Sequence, residues 1–203
     1  MFLNHKQVTQ MKKLYLAILA FTLSMAAFAQ TTIEHLTFKN VPIDGTLNQF
    51  VTNMKAAGFK SEGIQDGTAI LSGDFAGYKG CYVIVSTLKN KDLVSTIGVM
   101  FPEHSSWSTL EGSYAKLKDM LTTKYGNPDE EVEEFQDRDP RDDNSRLHEL
   151  KMDRCNYQTL YRTEKGNILL RLIHDDYLRC HVLLAYYDKI NGLEVEAAAM
   201  DDL

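Results

Sequence analysis

Apolar residues recur at helical spacing in two stretches of the chain, which predicts two amphipathic helices. The first stripe comprises Leu47, Phe50, Val51 and Met54. It follows candidate N-caps at Asp44 and Thr46, and Gly58 is placed to end it. The second stripe comprises Leu110, Tyr114, Leu117 and Leu121. Ser108 and Glu111 have the spacing of a capping box at its start, and Gly126 followed by Pro128 closes it.

Runs of strand length follow each predicted helix. Three runs, at 68–75, 81–88 and 93–101, are separated by connections of turn length, which favours an antiparallel meander. A second set of three, at 156–162, 167–174 and 180–187, has the same arrangement. Short strands are predicted at 33–38 and 131–135, and short helices at 147–152 and 193–200.

A helix followed by a meander therefore occurs twice. We predict an α+β fold in which antiparallel meander sheets carry two main helices packed on one face. Residues 30–203 are expected to form a single α+β domain, whose two halves would be 33–101 and 108–203. Tandem duplication and a chance repeat of ordinary amphipathic elements explain the pattern equally well.

The first 29 residues predict a secretory signal peptide. Met11 is followed by two lysines, residues 14–25 are almost wholly apolar, and the sequence Ala-Ala-Phe-Ala at 26–29 fits a cleavage site. A bilayer span needs about 20 apolar residues, so this run is short for one. A buried core helix is the alternative. We expect translation to start at Met11, cleavage after Ala29, and a periplasmic or secreted product that does not span a membrane after processing.

Charge narrows the choice of partners. The whole chain has a net charge of −6, from 22 basic and 28 acidic residues. Lys6, Lys12 and Lys13 precede the predicted cleavage site, so the mature balance is 19 − 28 = −9. Nucleic acids and anionic membranes recruit basic patches, and an acidic chain argues against both as partners.

Four segments carry a resemblance to a known group of proteins. They read FKNVPIDGTL (38–47), GDFAGYKGC (73–81), KMDRC (151–155) and YDKING (187–192). Together they resemble a family of uncharacterised exported proteins of Bacteroidetes, which implies a Gram-negative envelope setting and no particular activity. The order of elements is also similar to that of β-lactamase-inhibitor-like domains.

Motifs of catalysis and metal binding are missing from the sequence. It holds no G-x-S-x-G turn, no H-x-x-x-H or C-x-x-C pair, and no complete calcium loop in the acidic stretch 137–148. We therefore predict no catalytic residues, no metal site and no cofactor. The alternative is a small enzyme whose site assembles from scattered residues, with Cys155, His174 and Asp175 the best candidates.

The three cysteines allow one disulfide at most. In a simple meander Cys155 and Cys180 would lie at the same end of the sheet, with one strand between them. Two strand spacings, about 9–10 Å, exceed the reach of an unstrained disulfide. We expect free, buried thiols.

Tyrosines supply the candidate binding surface. Tyr and Trp serve well at interfaces, and in Tyr186-Tyr187 one ring must face away from the core if the segment is a strand. We predict a binding or interaction module that uses a solvated sheet face and the charged stretch 129–146 to hold an envelope protein or glycan. Its candidate partner-binding residues are Tyr161, Tyr177, Tyr186 and Tyr187.

Overall fold

An eight-stranded antiparallel sheet dominates the computed structural model, which describes residues 34–88, 90–137 and 140–193. Its strands are β3 Lys60–Gln65, β4 Thr68–Phe75, β5 Tyr78–Leu88, β6 Lys91–Met100, β7 Glu130–Phe135, β8 Cys155–Thr163, β9 Gly166–His174 and β10 Cys180–Asp188. A two-stranded ribbon pairs β1 Thr37–Phe38 with β2 Val41–Pro42. The helices are α1 Leu47–Ala56, α2 Trp107–Tyr125 and α3 Asp143–Lys151, and residues 189–193 are also helical.

The sheet consists of two four-stranded meanders joined through their last strands. The strand order is β3-β4-β5-β6-β10-β9-β8-β7. At the central seam β6 and β10 run antiparallel, with Met100 opposite Leu183 and Thr96 opposite Tyr187. Each meander follows one long helix in the chain, α1 in the first half and α2 in the second.

All three helices bury their apolar residues against the same side of this sheet. The predicted stripes of α1 and α2 are buried, and they belong to one continuous core together with strand residues such as Val83, Ile97, Leu184 and Leu170. Burial alternates along the strands, as expected when only one face is covered. The predicted fold class, α+β with meander sheets and two main helices on one face, is confirmed.

The helix ends agree with prediction in one case and differ in two. Thr46 caps α1 in a full capping box with Gln49. Helix α2 begins two residues earlier than expected, because Ser106 rather than Ser108 accepts the hydrogen bond from the Thr109 N–H. Helix α3 extends to Asp143, capped by Asp142, whereas the sequence predicted only 147–152.

The meanders have four strands each, and one of these strands was missed. Strand β3 carries Gly63 and mostly exposed polar residues, so it lacks the apolar alternation that identifies a strand. The strand expected at 33–38 is shorter, since only Thr37–Phe38 pairs with β2, and Ile33 lies outside the described residues. The helix predicted at 193–200 also falls outside them, apart from its first residue.

Buried polar contacts tie the start of the described chain to its end. The Asp188 carboxylate accepts hydrogen bonds from the N–H of Leu36 (2.7 Å) and of Asn191 (2.9 Å). The Asn191 amide donates to the carbonyls of Ile43 (3.1 Å) and Val94 (2.8 Å). Because Asp188 and Asn191 are both buried, these bonds replace water that the groups lose on folding.

Among the described residues, no helix combines the length and the apolar character needed to cross a bilayer.

Candidate functional site: the open face of the sheet

No described helix packs on the side of the sheet that faces away from α1, α2 and α3. We call this surface, as presented by β4, β5, β6, β10, β9 and β8, the open face. Its side chains alternate with the buried ones, so Ile70 lies between the core residues Ala69 and Leu71, and Ile84 between Val83 and Val85.

The strand registers arrange the open face in three rows that run across the sheet. Row A is Ser72–Tyr82–Met100–Leu183–Arg171–Gln158, row B is Ile70–Ile84–Gly98–Ala185–Leu169–Leu160, and row C is Thr68–Ser86–Thr96–Tyr187–Asn167–Arg162. Row B is apolar from end to end, row A mixes apolar and polar residues, and row C is mostly polar. The apolar band is therefore bordered by hydrogen-bonding groups on one side.

Several large apolar side chains of this face remain in contact with solvent. Tyr82 is 46% exposed, Ile70 43% and Tyr187 42%. The leucines and Ile84 of row B are half-buried by their neighbours. Six strands about 4.8 Å apart, over three rows about 6.8 Å apart, present a flat area of roughly 600 Å². The apolar residues of rows A and B make up part of this area, and an exposed apolar patch of a few hundred Å² often marks an interaction site.

Arg171 places one unpaired charge beside the apolar band. It is exposed, and within the described ranges no carboxylate forms an ion pair with it. Arg162, at the end of row C, is different because its guanidinium donates to Glu130 of β7. Rows A, B and C contain no acidic residue. Carboxylates border the rows at both ends, where Glu62 of β3 accepts a hydrogen bond from Ser72 and Glu130 of β7 binds Arg162. Among the described residues, Arg171 is the unpaired cation between them.

A shallow groove of about 440 Å³ adjoins the end of row C. It is lined by Arg162, Asn167, Tyr187 and, from the helical residues 189–193, Lys189 and Leu193. A second groove, of about 610 Å³, lies along the polar side of α1 near Asn48 and Asn53. Only the first is continuous with the open face.

The sheet edges are poor docking sites by comparison. Edge strand β3 has an irregular register between Ser61 and Gly63, which interrupts the row of groups that a new strand would pair with. Edge strand β7 carries four glutamates, two of which, Glu131 and Glu133, hold Lys118 of α2 at 2.9 and 2.5 Å. Charges and bulges of this kind protect edges from adding strands.

The four tyrosines chosen from the sequence are divided between core and surface. Tyr161 and Tyr186 are buried (1% and 5% exposed), so in the folded chain neither ring reaches a partner. Both point toward the helices, where the Tyr161 hydroxyl bonds to Thr122 at 2.9 Å and donates to the Lys118 carbonyl at 3.1 Å. Tyr187 lies on the open face and Tyr177 is 81% exposed in the β9–β10 turn. Their role in binding stays a prediction.

Tyr82, which was not among the candidates, also lies on the open face. It lies in the run Cys-Tyr-Val-Ile-Val, where apolar residues are so continuous that the sequence does not show which side faces water. The helix on the other side settles the question, because Cys81, Val83 and Val85 are fully buried.

Cys155, His174 and Cys180 lie at one end of the sheet, on neighbouring strands. His174 pairs with Cys180, and β9 separates β8 from β10, as predicted. All three cysteines are free thiols, as expected, but only Cys81 and Cys180 are buried and Cys155 is partly exposed. Burial raises the pKa of Cys81 to about 11 and that of Cys155 to about 12, so these thiols stay protonated at neutral pH.

No catalytic dyad forms among these residues. The His174 Nδ1 lies 2.9 Å from the Asp175 carbonyl and its Nε2 lies 3.3 Å from Asp153, and in the described part of the chain no hydrogen bond joins it to Cys155. Asp175 is committed to Arg179. Nor does the described structure contain a group of three or more His, Cys, Asp or Glu side chains arranged to hold a metal ion.

Comparisons with known proteins add no relative: no protein-family model, no curated protein and no solved structure matches the chain at a significant level.

Proposed function

We propose that this protein is an exported binding module that holds a partner protein on the open face of its sheet. The observation that carries the proposal is row B, an apolar band six strands wide that no helix covers. Helices α1, α2 and α3 all pack on the opposite side. A sheet face that served only for stability would expose polar residues there.

The chemistry of the face describes its partner. Apolar side chains of row B favour a partner with an apolar patch, and Tyr82 and Tyr187 offer large contact areas at a low cost in side-chain entropy. Arg171 favours a carboxylate opposite row A, since a guanidinium pairs with carboxylates through two parallel hydrogen bonds. The flat area of roughly 600 Å² approaches the 800 Å² or so that each partner buries in a standard interface.

A second copy of this chain fits the face less well. Rows A to C supply no carboxylate for the Arg171 of another copy. Two copies would also bring together processed chains that each carry a net charge of −9. A different protein with an apolar patch and an acidic border matches both features.

Site-specific photo-cross-linking in the native host tests this proposal. A benzophenone amino acid replaces Tyr82 on the open face in one variant of the full-length chain. In a matched control it replaces Met120, an exposed residue of α2 on the other side of the sheet. We expect a discrete cross-linked product from position 82 and none from position 120. Adding Arg171→Glu should reduce the product from position 82 by tenfold or more, because the new glutamate would face the carboxylate that we propose in the partner.

Three results would contradict the proposal. They are equal cross-linking from both positions, insensitivity to Arg171→Glu, and a product made of two copies of this chain. A product made of two copies would show that the open face mediates self-association and does not bind a different protein. Mass spectrometry of the product distinguishes the cases, and the partner peptide is expected to contain Asp or Glu beside apolar residues.

Export is the second part of the proposal, and the pattern of residues 11–29 supports it. Intact mass and N-terminal sequencing of the protein from an envelope fraction should give a chain that starts at Gln30. Recovery of the chain only from the cytoplasm, with residues 11–29 attached, would refute export without bearing on the open face.

A further inference from the structure

Two histidines meet where two loops close one end of the open face. His104 lies in the connection between β6 and α2, and His181 is the second residue of β10. His181 is only 5% exposed and pairs with Ile173 of β9. Because it precedes Leu183 by two residues on the same strand, it forms the next row of the open face beyond row A. The 101–106 connection runs alongside it, with the Phe101 N–H bonded to the Val182 carbonyl and the His104 N–H bonded to the Cys180 carbonyl.

Hydrogen bonds fix the tautomer of His181. Its Nδ1 lies 2.8 Å from the Phe101 carbonyl, which can only accept, so Nδ1 carries the proton and Nε2 is bare in the neutral ring. That Nε2 is buried without a hydrogen-bond partner, and so is the Nε2 of His104. Buried polar atoms without partners are rare and point to a functional or strained position.

Charged groups from three elements lie near His181 and its neighbour Cys180. From the β9–β10 turn, Asp175 approaches His181 Nε2 at 3.8 Å and is itself bound by Arg179 at 2.5 Å. The hydrogen bond to Asp175, and in addition the negative charge of Glu103, raise the pKa of the Arg179 guanidinium. Burial raises the pKa of the Cys180 thiol, while the positive charge of Lys151 in α3 lowers it and the negative charge of Glu103 raises it. Asp175, already bound by Arg179, therefore approaches His181, whereas in the described structure no carboxylate forms a hydrogen bond with the His104 Nε2.

We propose that His104 and His181 form a proton-sensitive latch that releases the 101–106 connection from β10 when the pH falls. A proton added to the buried Nε2 of His104 finds no hydrogen-bond acceptor in the described structure. Burial of that charge beside the His181 ring opposes closure. The rings separate when the 101–106 connection leaves the sheet.

The direction of the pH effect follows from His104. Burial, and next the charge of His181, lower the pKa of His104 from its usual value. The closed latch is therefore fully stable above the pKa of the released histidine, about 6.5. It loses stability as the pH falls from there toward the lower pKa of the closed state.

Release of the 101–106 connection would add His181 and Ile173 to the open face. This consequence rests on the proposed function, since it makes partner binding depend on pH. The latch itself is a property of the isolated chain and is measured without a partner.

Two readouts on the isolated full-length chain test the latch. Imidazole NMR from about pH 7.5 to 4.5 should show the Nδ1–H tautomer of His181 and a titration of His104 below about pH 6.5. Over the same range the amides of 101–106 should shift. Fluorescence of Trp107, the only tryptophan, should move to longer wavelength, since it is buried and follows this connection directly.

Variants separate the latch from general acid unfolding. His104→Phe should remove the fluorescence transition, whereas His148→Gln, a change at an exposed histidine of α3, should retain it. Two results from the unmutated chain would overturn the latch. One is a titration of His104 at or above about pH 6.5, and the other is Trp107 emission that does not change between about pH 7.5 and 4.5. Neither result would affect the cross-linking test of the open face.

Discussion

At the residue scale, two buried hydroxyl contacts fasten α2 to the second meander. The Tyr114 hydroxyl lies 2.6 Å from the Thr159 hydroxyl, and the Tyr161 hydroxyl reaches Thr122 and the Lys118 carbonyl. The helical stripe identified Tyr114 as a core residue. It could not identify Tyr161, because a tyrosine in an alternating strand fits either face until the position of the helix is known.

Tyr114→Phe should lower the free energy of unfolding by about 1–3 kcal/mol, because it leaves the buried Thr159 hydroxyl without its partner. Urea unfolding measures the change. The double variant Tyr114→Phe/Thr159→Val should recover part of the loss, since both polar groups are then gone. Equal stability of the single variant and the unmodified chain would show that the hydroxyl contact contributes nothing.

At the element scale, the β8–β9 hairpin depends on a glycine that no other residue can replace. Gly166 has φ of 153°, and a Cβ there would lie 2.1 Å from the Tyr187 carbonyl oxygen of β10. Because that carbonyl belongs to the neighbouring strand, it cannot move without disturbing the sheet. The sequence predicted a turn at 164–166, but the contact with β10 depends on a register that local residues do not encode.

Gly166→Ala should therefore destabilise the fold by more than about 3 kcal/mol. Gly112→Ala is the matched control, because Gly112 lies inside α2 with no atom within 4 Å of its added Cβ. It should stabilise the chain by about 0.5–1 kcal/mol, as alanine does in helix interiors. Thermal or urea unfolding of both variants measures the contrast, and similar effects in the two would contradict it.

The β9–β10 turn gives a pH-dependent contribution to stability. The Arg179 guanidinium, and then the backbone N–H groups of Arg179 and Tyr177, lower the pKa of Asp175 to about 2. The unfolded pKa is about 3.9, so this contribution is complete above that value and is lost as the pH falls toward 2. In Asp175→Asn the stability deficit should be constant above about pH 5 and shrink below about pH 4. Urea unfolding at several pH values measures it.

The exposed neighbour provides the control for that series. Asp176→Asn changes the same charge one residue along the turn, and should leave the pH profile unchanged. A deficit of Asp175→Asn that stays constant down to pH 2 would show that the Arg179 contact does not set the titration.

At the scale of the whole molecule, the sequence predicted the layers better than the order of the strands. The meanders were visible because their strands are neighbours in the chain and are joined by short turns. The pairing of β6 with β10 at the central seam was not visible, because nothing local marks a contact between strands that are separated in the chain by α2, α3 and three other strands. The open face depends on that seam, since rows A to C cross it. This explains why its tyrosines were only partly identified.

The reaction rate of the three thiols with a disulfide reagent measures how often the folded chain unfolds. Cys81 and Cys180 are buried, and burial raises the pKa of both, as it does for Cys155. Native protein should therefore react with a disulfide reagent at least tenfold more slowly than a free thiol, and unfolded protein should show three reactive thiols. Fewer than three in non-reducing denaturant would reveal a disulfide.

The position of β10 in the chain also dictates the order in which the sheet is completed. Strand β6 lies near the middle of the chain and pairs with β5 on one side. Its partner on the other side is β10, the last strand of the described fold. Until β10 emerges, the first meander has an unpaired apolar strand with free N–H and C=O groups along one side. Such an edge recruits other chains, so aggregation competes with folding during this interval. We expect nascent or truncated chains that lack β10 to need a holding chaperone, and pairing of β10 with β6 to be a late, slow step, as contacts between distant segments generally are.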